Sequence, residues 1–215
     1  MLRDAHVTFS GIELPHKLLE TFGSTTVVVP QPYDETLACG GLIALLHRAK
    51  QPVSIVIVND GGNAQRKSEV TAAAHELGVT ANDVQFLDYP DGDVSKELVA
   101  SFPAVVKHVR SALEQLEPKT LVIPFRGDSC SGHTATWHMV RAAVRQMKRT
   151  PRVLEYPVWI GPLTEALFDE FQPTVWKLDI STVLARKQRA VLAYRSQISE
   201  ENLARGYEAF FEFPG

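Results

Sequence analysis

The sequence lacks the features that mark several classes of protein. It has only two cysteines, Cys39 and Cys130, so it has no disulfide framework, and a reducing, cytoplasmic location is the simplest expectation. Its predominantly apolar stretches, such as residues 53–58, are far shorter than the roughly 20 residues that span a bilayer. The first six residues contain no apolar stretch typical of a signal peptide, and we therefore expect no secretory leader.

An excess of basic charge is also missing. The chain has 22 Lys and Arg against 25 Asp and Glu, a formal net charge of −3, and no basic stripe. We therefore do not expect nucleic acid as a partner. With 215 residues, of which 45% are hydrophobic, the chain is long enough for one domain, residues 1–215, with a sizeable core.

What the sequence does contain is a regular alternation of strand and helix patterns. The stretch at 53–58, apolar except for Ser54, is typical of a strand in a parallel sheet that is covered on both faces. We predict strands at 25–29, 53–58, 84–87, 121–124, 153–159 and 175–180, and helices at 37–50, 66–77, 98–116, 134–147 and 181–194. This order predicts an α/β fold, a Rossmann-like, doubly wound and mostly parallel sheet with helices on both faces.

Two of the predicted strands run directly into polar loops. Residues 31–35 follow the first strand, and residues 126–133 follow the strand at 121–124. In open α/β sheets, ligands bind in the crevice at the carboxyl ends of the strands. Although nearly a hundred residues separate them, Asp34 and His133 could therefore meet in one cleft.

Both loops match motifs of a known family. The segment P-Q-P-Y-D-E at 30–35 is similar to P-H-P-D-D-E, and P-F-R-G-D-S-C-S-G-H at 124–133 is similar to P-W-R-G-D-x-H-P-D-H. Weaker matches, to T-D-G, R-x-x-E, E-Y-P-x-W and K-x-x-A-x-x-x-Y-x-S-Q, follow in the same order at 59–61, 66–69, 155–159 and 187–197. Together they cover most of the chain, which resembles the LmbE/PIG-L family of zinc-dependent deacetylases acting on N-acetylated sugars.

The resemblance implies a site that has been altered. By position, the metal ligands of the family correspond to Gln31, Asp34 and His133, and its general base corresponds to Tyr33. An amide oxygen is a poor substitute for imidazole on zinc, so Gln31 should weaken zinc binding. A phenol with a pKa near ~10 cannot accept a proton at neutral pH unless it is strongly perturbed. Zinc is thus a doubtful cofactor for this chain.

Changes also occur on the second loop. Cys130 stands where the family has the His that helps stabilise the oxyanion, and Gly132 stands where it has an Asp. Cys130 could be a small residue that fills the space left by a His, a replacement zinc ligand, or a nucleophile with His133 as its base. From the two loops together, the candidate catalytic residues are Tyr33, Asp34, Cys130 and His133.

The matched motifs also contain four candidate substrate-binding residues: Arg66, Arg126, Asp128 and Tyr156. Arg126 could bind a phosphate or carboxylate, or it could form an ion pair with Asp128. Arg66 and Glu69 lie one helical turn apart and could form only a surface pair. Tyr33 could also simply fill the pocket.

Three functions remain open from the sequence. The first is a remodelled cleft that acts on a polar small molecule, an N-acylated sugar or amide, without the family's zinc site. The second is a zinc-dependent hydrolase that tolerates Gln31. The third is a catalytically inactive protein that binds a sugar or metabolite.

Overall fold

The computed structural model describes residues 11–59, 63–89, 94–158, 164–196 and 207–213. Eight strands and six α-helices lie in these ranges, together with three short 3-10 helices over His16–Thr21, Ala81–Asp83 and Ser181–Val183. The strands are β1 Ile12–Glu13, β2 Thr25–Val29, β3 Val53–Asn59, β4 Val84–Tyr89, β5 Thr120–Pro124, β6 Arg152–Tyr156, β7 Thr174–Asp179 and β8 Tyr207–Glu212. The helices are α1 Asp34–Arg48, α2 Ala64–Leu77, α3 Val94–Leu116, α4 Ser131–Val144, α5 Thr164–Phe171 and α6 Leu184–Leu192.

The strands form one sheet in the order β1-β7-β8-β6-β5-β2-β3-β4. The neighbours from β6 to β4 all pair in parallel, as do β1 and β7. Strand β8 is antiparallel to both β6 and β7. The predicted fold class, a mostly parallel α/β sheet, is therefore confirmed.

Successive side chains along a strand point to opposite faces of the sheet, and this divides the core into two layers. Val27 and Val29 of β2 face one cluster, which contains side chains of α1, α2 and α6. Val28 faces the other cluster, with side chains of α3 and α4. All five residues of β2 are buried, as a strand at the centre of a doubly covered sheet requires.

Several element boundaries differ from the predictions. Helix α1 begins at Asp34, three residues before the predicted start, because the backbone N–H groups of Thr36 and Leu37 donate to the carbonyl of Tyr33. Helix α6 begins at Leu184, after a short 3-10 turn over Ser181–Val183. Strand β6 ends at Tyr156, and Trp159, predicted as its end, lies outside the described residues. Strands β1 and β8 and helix α5 were not predicted.

The sheet has its topological switch point between β2 and β5. From β2 the chain continues to β3 and β4 on one side, whereas β5 and β6 lie on the other. The crevice outside the carboxyl ends of such a strand pair is the usual ligand position in this architecture. The two polar loops leave these two strands, so the topology places both at the same crevice.

Among the residues that the structure describes, no helix is both long enough and apolar enough to cross a membrane.

Candidate functional site

The first wall of the site is the loop between β2 and α1. The backbone N–H of Asp34 donates to the carbonyl of Gln31 at 3.4 Å, which closes a turn over residues 31–34. Asp34 is the first residue of α1 and is buried. A carboxylate in the first turn of a helix is favoured by the helix dipole.

The second wall is the loop between β5 and α4. This loop places Asp128 before the helix and His133 in its first turn, and both side chains are buried. His133 Nδ1 lies 3.0 Å from Asp128 Oδ2, and His133 Nε2 lies 3.2 Å from Asp34 Oδ2. The imidazole is therefore held between two carboxylates, one from each loop.

Asp128 orients His133. Besides the imidazole, its carboxylate accepts the backbone N–H of Cys130 at 2.9 Å and that of Val158 at 3.3 Å. With Nδ1 bonded to a carboxylate, Nε2 is the ring nitrogen directed at Asp34. This carboxylate–imidazole arrangement also orients histidines that serve as metal ligands or acid–base groups.

The two carboxylates decide the charge of His133. Burial by itself lowers the pKa of a histidine, but the close contacts with the Asp128 and Asp34 carboxylates outweigh it and raise the pKa of His133 to about 10. Burial also raises the pKa of Asp34, although the nearby imidazole opposes that shift. At neutral pH, His133 is thus an imidazolium that can donate from Nε2.

The contact between the two loops is close but not a well-formed hydrogen bond. Asp34 Oδ2 and His133 Nε2 are 3.2 Å apart, yet neither atom has an aligned hydrogen-bond partner in the described part of the chain. Buried polar atoms are nearly always paired, which makes these two atoms candidates for contact with a bound polar group. The separation is close to the edge of a zinc tetrahedron, which is about 3.3 Å for metal–ligand bonds of about 2.0 Å.

The residue at the third family position beside this pair is not an imidazole. The third family position is Gln31, a half-buried amide. Across the ranges described, no group of three or more His, Cys, Asp and Glu side chains is placed to hold a metal ion. Cys130 therefore does not complete a three-ligand set with Asp34 and His133. The residues fit two positions of a zinc centre and not the three that catalytic zinc usually takes from protein.

The other two candidate catalytic residues have different environments. Tyr33 is 9% exposed, and its ring packs edge-on against Tyr194 with ring centroids 5.2 Å apart. Cys130 is half-buried and precedes α4, and its sulfur is 3.9 Å from where a Cβ on Gly132 would lie. Their catalytic roles stay predictions.

Arg126 belongs to a cluster beside the site. Its guanidinium binds the Glu155 carboxylate at 2.7 Å and lies 3.7 Å from the centre of the Phe213 ring. The indole N–H of Trp137 donates to the same carboxylate at 2.8 Å. The pairing of Arg126 with Glu155 ties the β5–α4 loop to β6.

The remaining candidate substrate residues are placed as follows. The fully buried Tyr156 donates its hydroxyl to the Val28 carbonyl at 3.2 Å, which links β6 to β2. Arg66 lies in the first turn of α2, where its backbone N–H donates to the side chain of Asn63 at 3.2 Å. Substrate contact by Arg66, Arg126, Asp128 or Tyr156 stays a prediction.

Sequence reasoning missed three polar residues near the strand ends. Glu35 and Glu155 are buried and accept several hydrogen bonds each, and each lies in a matched motif. Asn59 ends β3, is 4% exposed, and has a side-chain oxygen without a hydrogen-bond partner in the residues described. The sequence feature that could have identified Asn59 is its position at the end of an apolar strand, the edge of the sheet where ligands bind.

The comparisons with known proteins agree with this architecture. Residues 26–144 match the PIG-L family model, described as GlcNAc-PI de-N-acetylase. No curated protein sequence matches the chain significantly.

Among solved structures, the conserved protein TT1542 from Thermus thermophilus has 27% sequence identity and a TM-score of 0.65, with 80% of this chain and 79% of that chain covered. The N,N′-diacetylchitobiose deacetylase from Pyrococcus horikoshii has 19% identity and a TM-score of 0.66, with 94% of each chain covered. The 4-carboxy-2-hydroxymuconate hydratase GalB from Pseudomonas putida KT2440 has 18% identity and a TM-score of 0.67, with 90% of this chain and 97% of that chain covered.

Proposed function

Because the chain belongs to the PIG-L family of GlcNAc-PI de-N-acetylases, we propose that its cleft acts on a polar small molecule, an N-acylated sugar or another amide. We propose further that the reaction uses acid–base chemistry at Asp34 and His133 and no tightly bound zinc ion. The observation that carries this proposal is the pair of buried, unaligned atoms Asp34 Oδ2 and His133 Nε2, 3.2 Å apart at the switch point.

The charge state of the pair supports a division of roles. The imidazolium of His133 has a proton to give, and the Asp34 carboxylate has a lone pair to accept one. In hydrolysis of an amide, Asp34 takes a proton from a water molecule while the oxygen of that water bonds to the carbonyl carbon of the substrate. The C–N bond then breaks, and His133 gives its proton to the departing amine. Return of the proton from Asp34 to His133 restores the pair.

The residues at the other family positions support the absence of tight zinc binding. Gln31 offers zinc a neutral amide oxygen, whereas zinc favours nitrogen and sulfur ligands. Tyr33, at the base position, is packed against Tyr194 among core residues. Chemistry other than zinc deacetylation is compatible with the architecture, since the similar structure of GalB is that of a hydratase.

Two further expectations accompany this function. The partner is a small molecule, with no role for nucleic acid. A cytoplasmic location is supported by the two thiols, Cys39 and Cys130, which are both free.

The test combines metal analysis of the native protein with turnover. We expect substoichiometric zinc and release of acetate from N-acetylglucosamine or N,N′-diacetylchitobiose that persists in EDTA. His133→Gln and Asp34→Asn should each lower the rate by at least ~10²-fold, the lower range for loss of an acid–base group. The matched control is His138→Gln, which changes an exposed histidine on the same helix.

Each alternative function gives a different result. Stoichiometric zinc with complete loss of turnover in chelator would show a zinc-dependent hydrolase. Saturable binding of these sugars with no acetate release by the native protein would show a binding protein and refute the catalytic proposal.

A further inference from the structure

The turn that introduces Asp34 has an unusual backbone. Residues 31–34 are closed by the hydrogen bond from the Asp34 N–H to the Gln31 carbonyl, and the third residue, Tyr33, has φ 94° and ψ −33°. These are features of a type II turn, in which proline is common at the second position, occupied here by Pro32, and glycine at the third. A tyrosine at the third position is strained, so surrounding contacts must hold it there.

Glu35 supplies the contact to the strained residue. Its carboxylate is fully buried and accepts the backbone N–H of Tyr33 at 3.0 Å. The hydroxyl of Thr36 donates to the other carboxylate oxygen at 2.7 Å. The Glu35 side chain therefore bridges the turn and the first residues of α1.

Tyr194 completes the arrangement from a distant part of the chain. Its hydroxyl donates a hydrogen bond to Glu35 Oε1, and its ring meets that of Tyr33 at an angle of 72°. Burial raises the pKa of Tyr194 well above its usual value, so its phenol remains a donor. One tyrosine thus contacts both the ring of Tyr33 and the carboxylate that holds the Tyr33 backbone.

The orientation of Asp34 depends on this arrangement. The Tyr33 carbonyl accepts the N–H groups of Thr36 and Leu37 at 3.1 and 2.9 Å, so the Tyr33 peptide sets where α1 begins. Asp34 is the next residue, and its Oδ2 must reach His133 Nε2 at 3.2 Å. A rotation of the Tyr33 peptide would swing the Asp34 side chain away from the imidazole.

We infer that Glu35 and Tyr194 are positioning residues that hold Tyr33 in its glycine-like conformation and thereby place Asp34 against His133. The inference rests on the proposed function only in treating Asp34 and His133 as the reacting pair. The placement itself is a structural statement and can be tested without any substrate.

The variants are Glu35→Gln, which keeps the shape of the side chain, and Tyr194→Phe, which removes a single hydroxyl. The matched control is Glu69→Gln. Glu69 anchors the same distal segment by accepting the N–H and hydroxyl of Ser196 at 3.0 and 2.6 Å, and its other described hydrogen bond goes to Gln65. Loss of the Glu69 contact loosens the segment that follows α6 without removing a bond to the turn.

Two NMR measurements at one fixed pH report the placement. In Glu35→Gln and Tyr194→Phe, we expect the imidazole ¹⁵N signals of His133 to shift and hydrogen exchange of the Tyr33 amide to accelerate at least about tenfold, as for a locally opened turn. Glu69→Gln should leave the His133 signals unchanged. If both turn variants fold and keep native His133 signals and Tyr33 protection, the inference is wrong.

A glycine substitution provides the rescue experiment. Tyr33→Gly removes the conformational strain, because glycine populates positive φ readily. In the Glu35→Gln background, Tyr33→Gly should therefore bring the His133 signals back towards the native position. Absence of rescue would contradict the strain argument. If the native protein releases no acetate, the proposed function fails while these signals still decide the positioning inference.

Discussion

His133 is the residue on which the proposed chemistry of the cleft depends. Two carboxylates hold its ring nitrogens at 3.0 and 3.2 Å in a fully buried position. Desolvation disfavours a charged histidine, but two adjacent anions favour it more strongly, so the protonated form is part of the folded structure. The same contacts that the proposed acid–base role requires therefore contribute to stability.

This contribution should depend on pH. The pKa of His133 is raised to about 10 from an unperturbed value of 6.5, so its stabilisation is fully present below pH 6.5 and is lost as the pH rises towards 10. Urea unfolding between pH 6 and 10 should show a loss of roughly 1–4 kcal/mol from this group. The loss should be much smaller in His133→Gln and native-like in the control His138→Gln. An equal loss of unfolding free energy in the native protein and in His133→Gln would contradict the positive charge assigned to His133.

At the scale of elements, α1 is the helix that presents Asp34, and a buried ion pair contacts the backbone in its middle. The N–H groups of Gly41 and Leu42 donate to Glu208 of β8 at 2.7 and 2.9 Å. Lys187 of α6 binds Glu208 at 2.7 Å and the Leu37 carbonyl at 2.8 Å. The two side chains thus bind backbone groups in the middle of α1, and they join α1 to α6 and β8.

The two glycines of α1 should respond differently to alanine. A Cβ at Gly41 would lie 2.4 Å from Ile180 and 2.9 Å from Glu208, whereas one at Gly40 would come closest to the aliphatic stem of Lys187, at 3.2 Å. We expect Gly41→Ala to lower the free energy of unfolding by at least ~1–3 kcal/mol through overpacking. Gly40→Ala should cost clearly less, because alanine regains up to ~1 kcal/mol of helix propensity. Urea denaturation of both variants tests this; equal losses would show that the close approach at Gly41 is not what limits packing.

At the scale of the whole molecule, the parallel sheet makes the site by bringing two distant loops to one crevice. Strands β2 and β5 are parallel neighbours, so the loops that follow them lie side by side at the same edge of the sheet. The same topology would assemble a three-ligand zinc site if the first loop supplied the missing imidazole. The weak zinc binding that we propose for this chain would therefore result from a local change in one loop and not from a different architecture.

Restoring the family residues of the first loop tests whether these residues alone decide zinc binding. Gln31→His with Tyr33→Asp should give a protein that binds about one zinc ion per chain, because an added imidazole completes the usual three protein ligands. Elemental analysis after dialysis measures the zinc, and the same double variant carrying His133→Gln is the control that should lose it. If the restored variant binds no zinc, the assignment of the two loops to the family motifs is wrong.

The sequence by itself determined the alternation of strands and helices, the two loops at strand ends and their family, because periodicity and short motifs are local properties of a chain. It also identified Asp34 and His133 as residues that could meet. It could not identify the partner of Arg126, since Glu155 lies 29 residues away on the neighbouring strand.

Only the tertiary structure decided how the site is held. Tyr194 bonds to Glu35 across 159 residues, Glu208 reaches into α1 across 167, and β8 enters the sheet antiparallel to its neighbours. The structure also showed that Asp34 and His133 find no third metal-binding His, Cys, Asp or Glu among the described residues. These outcomes depend on packing between elements distant in sequence, and the burial that shifts the pKa of His133 and Asp34 exists only once the chain is folded.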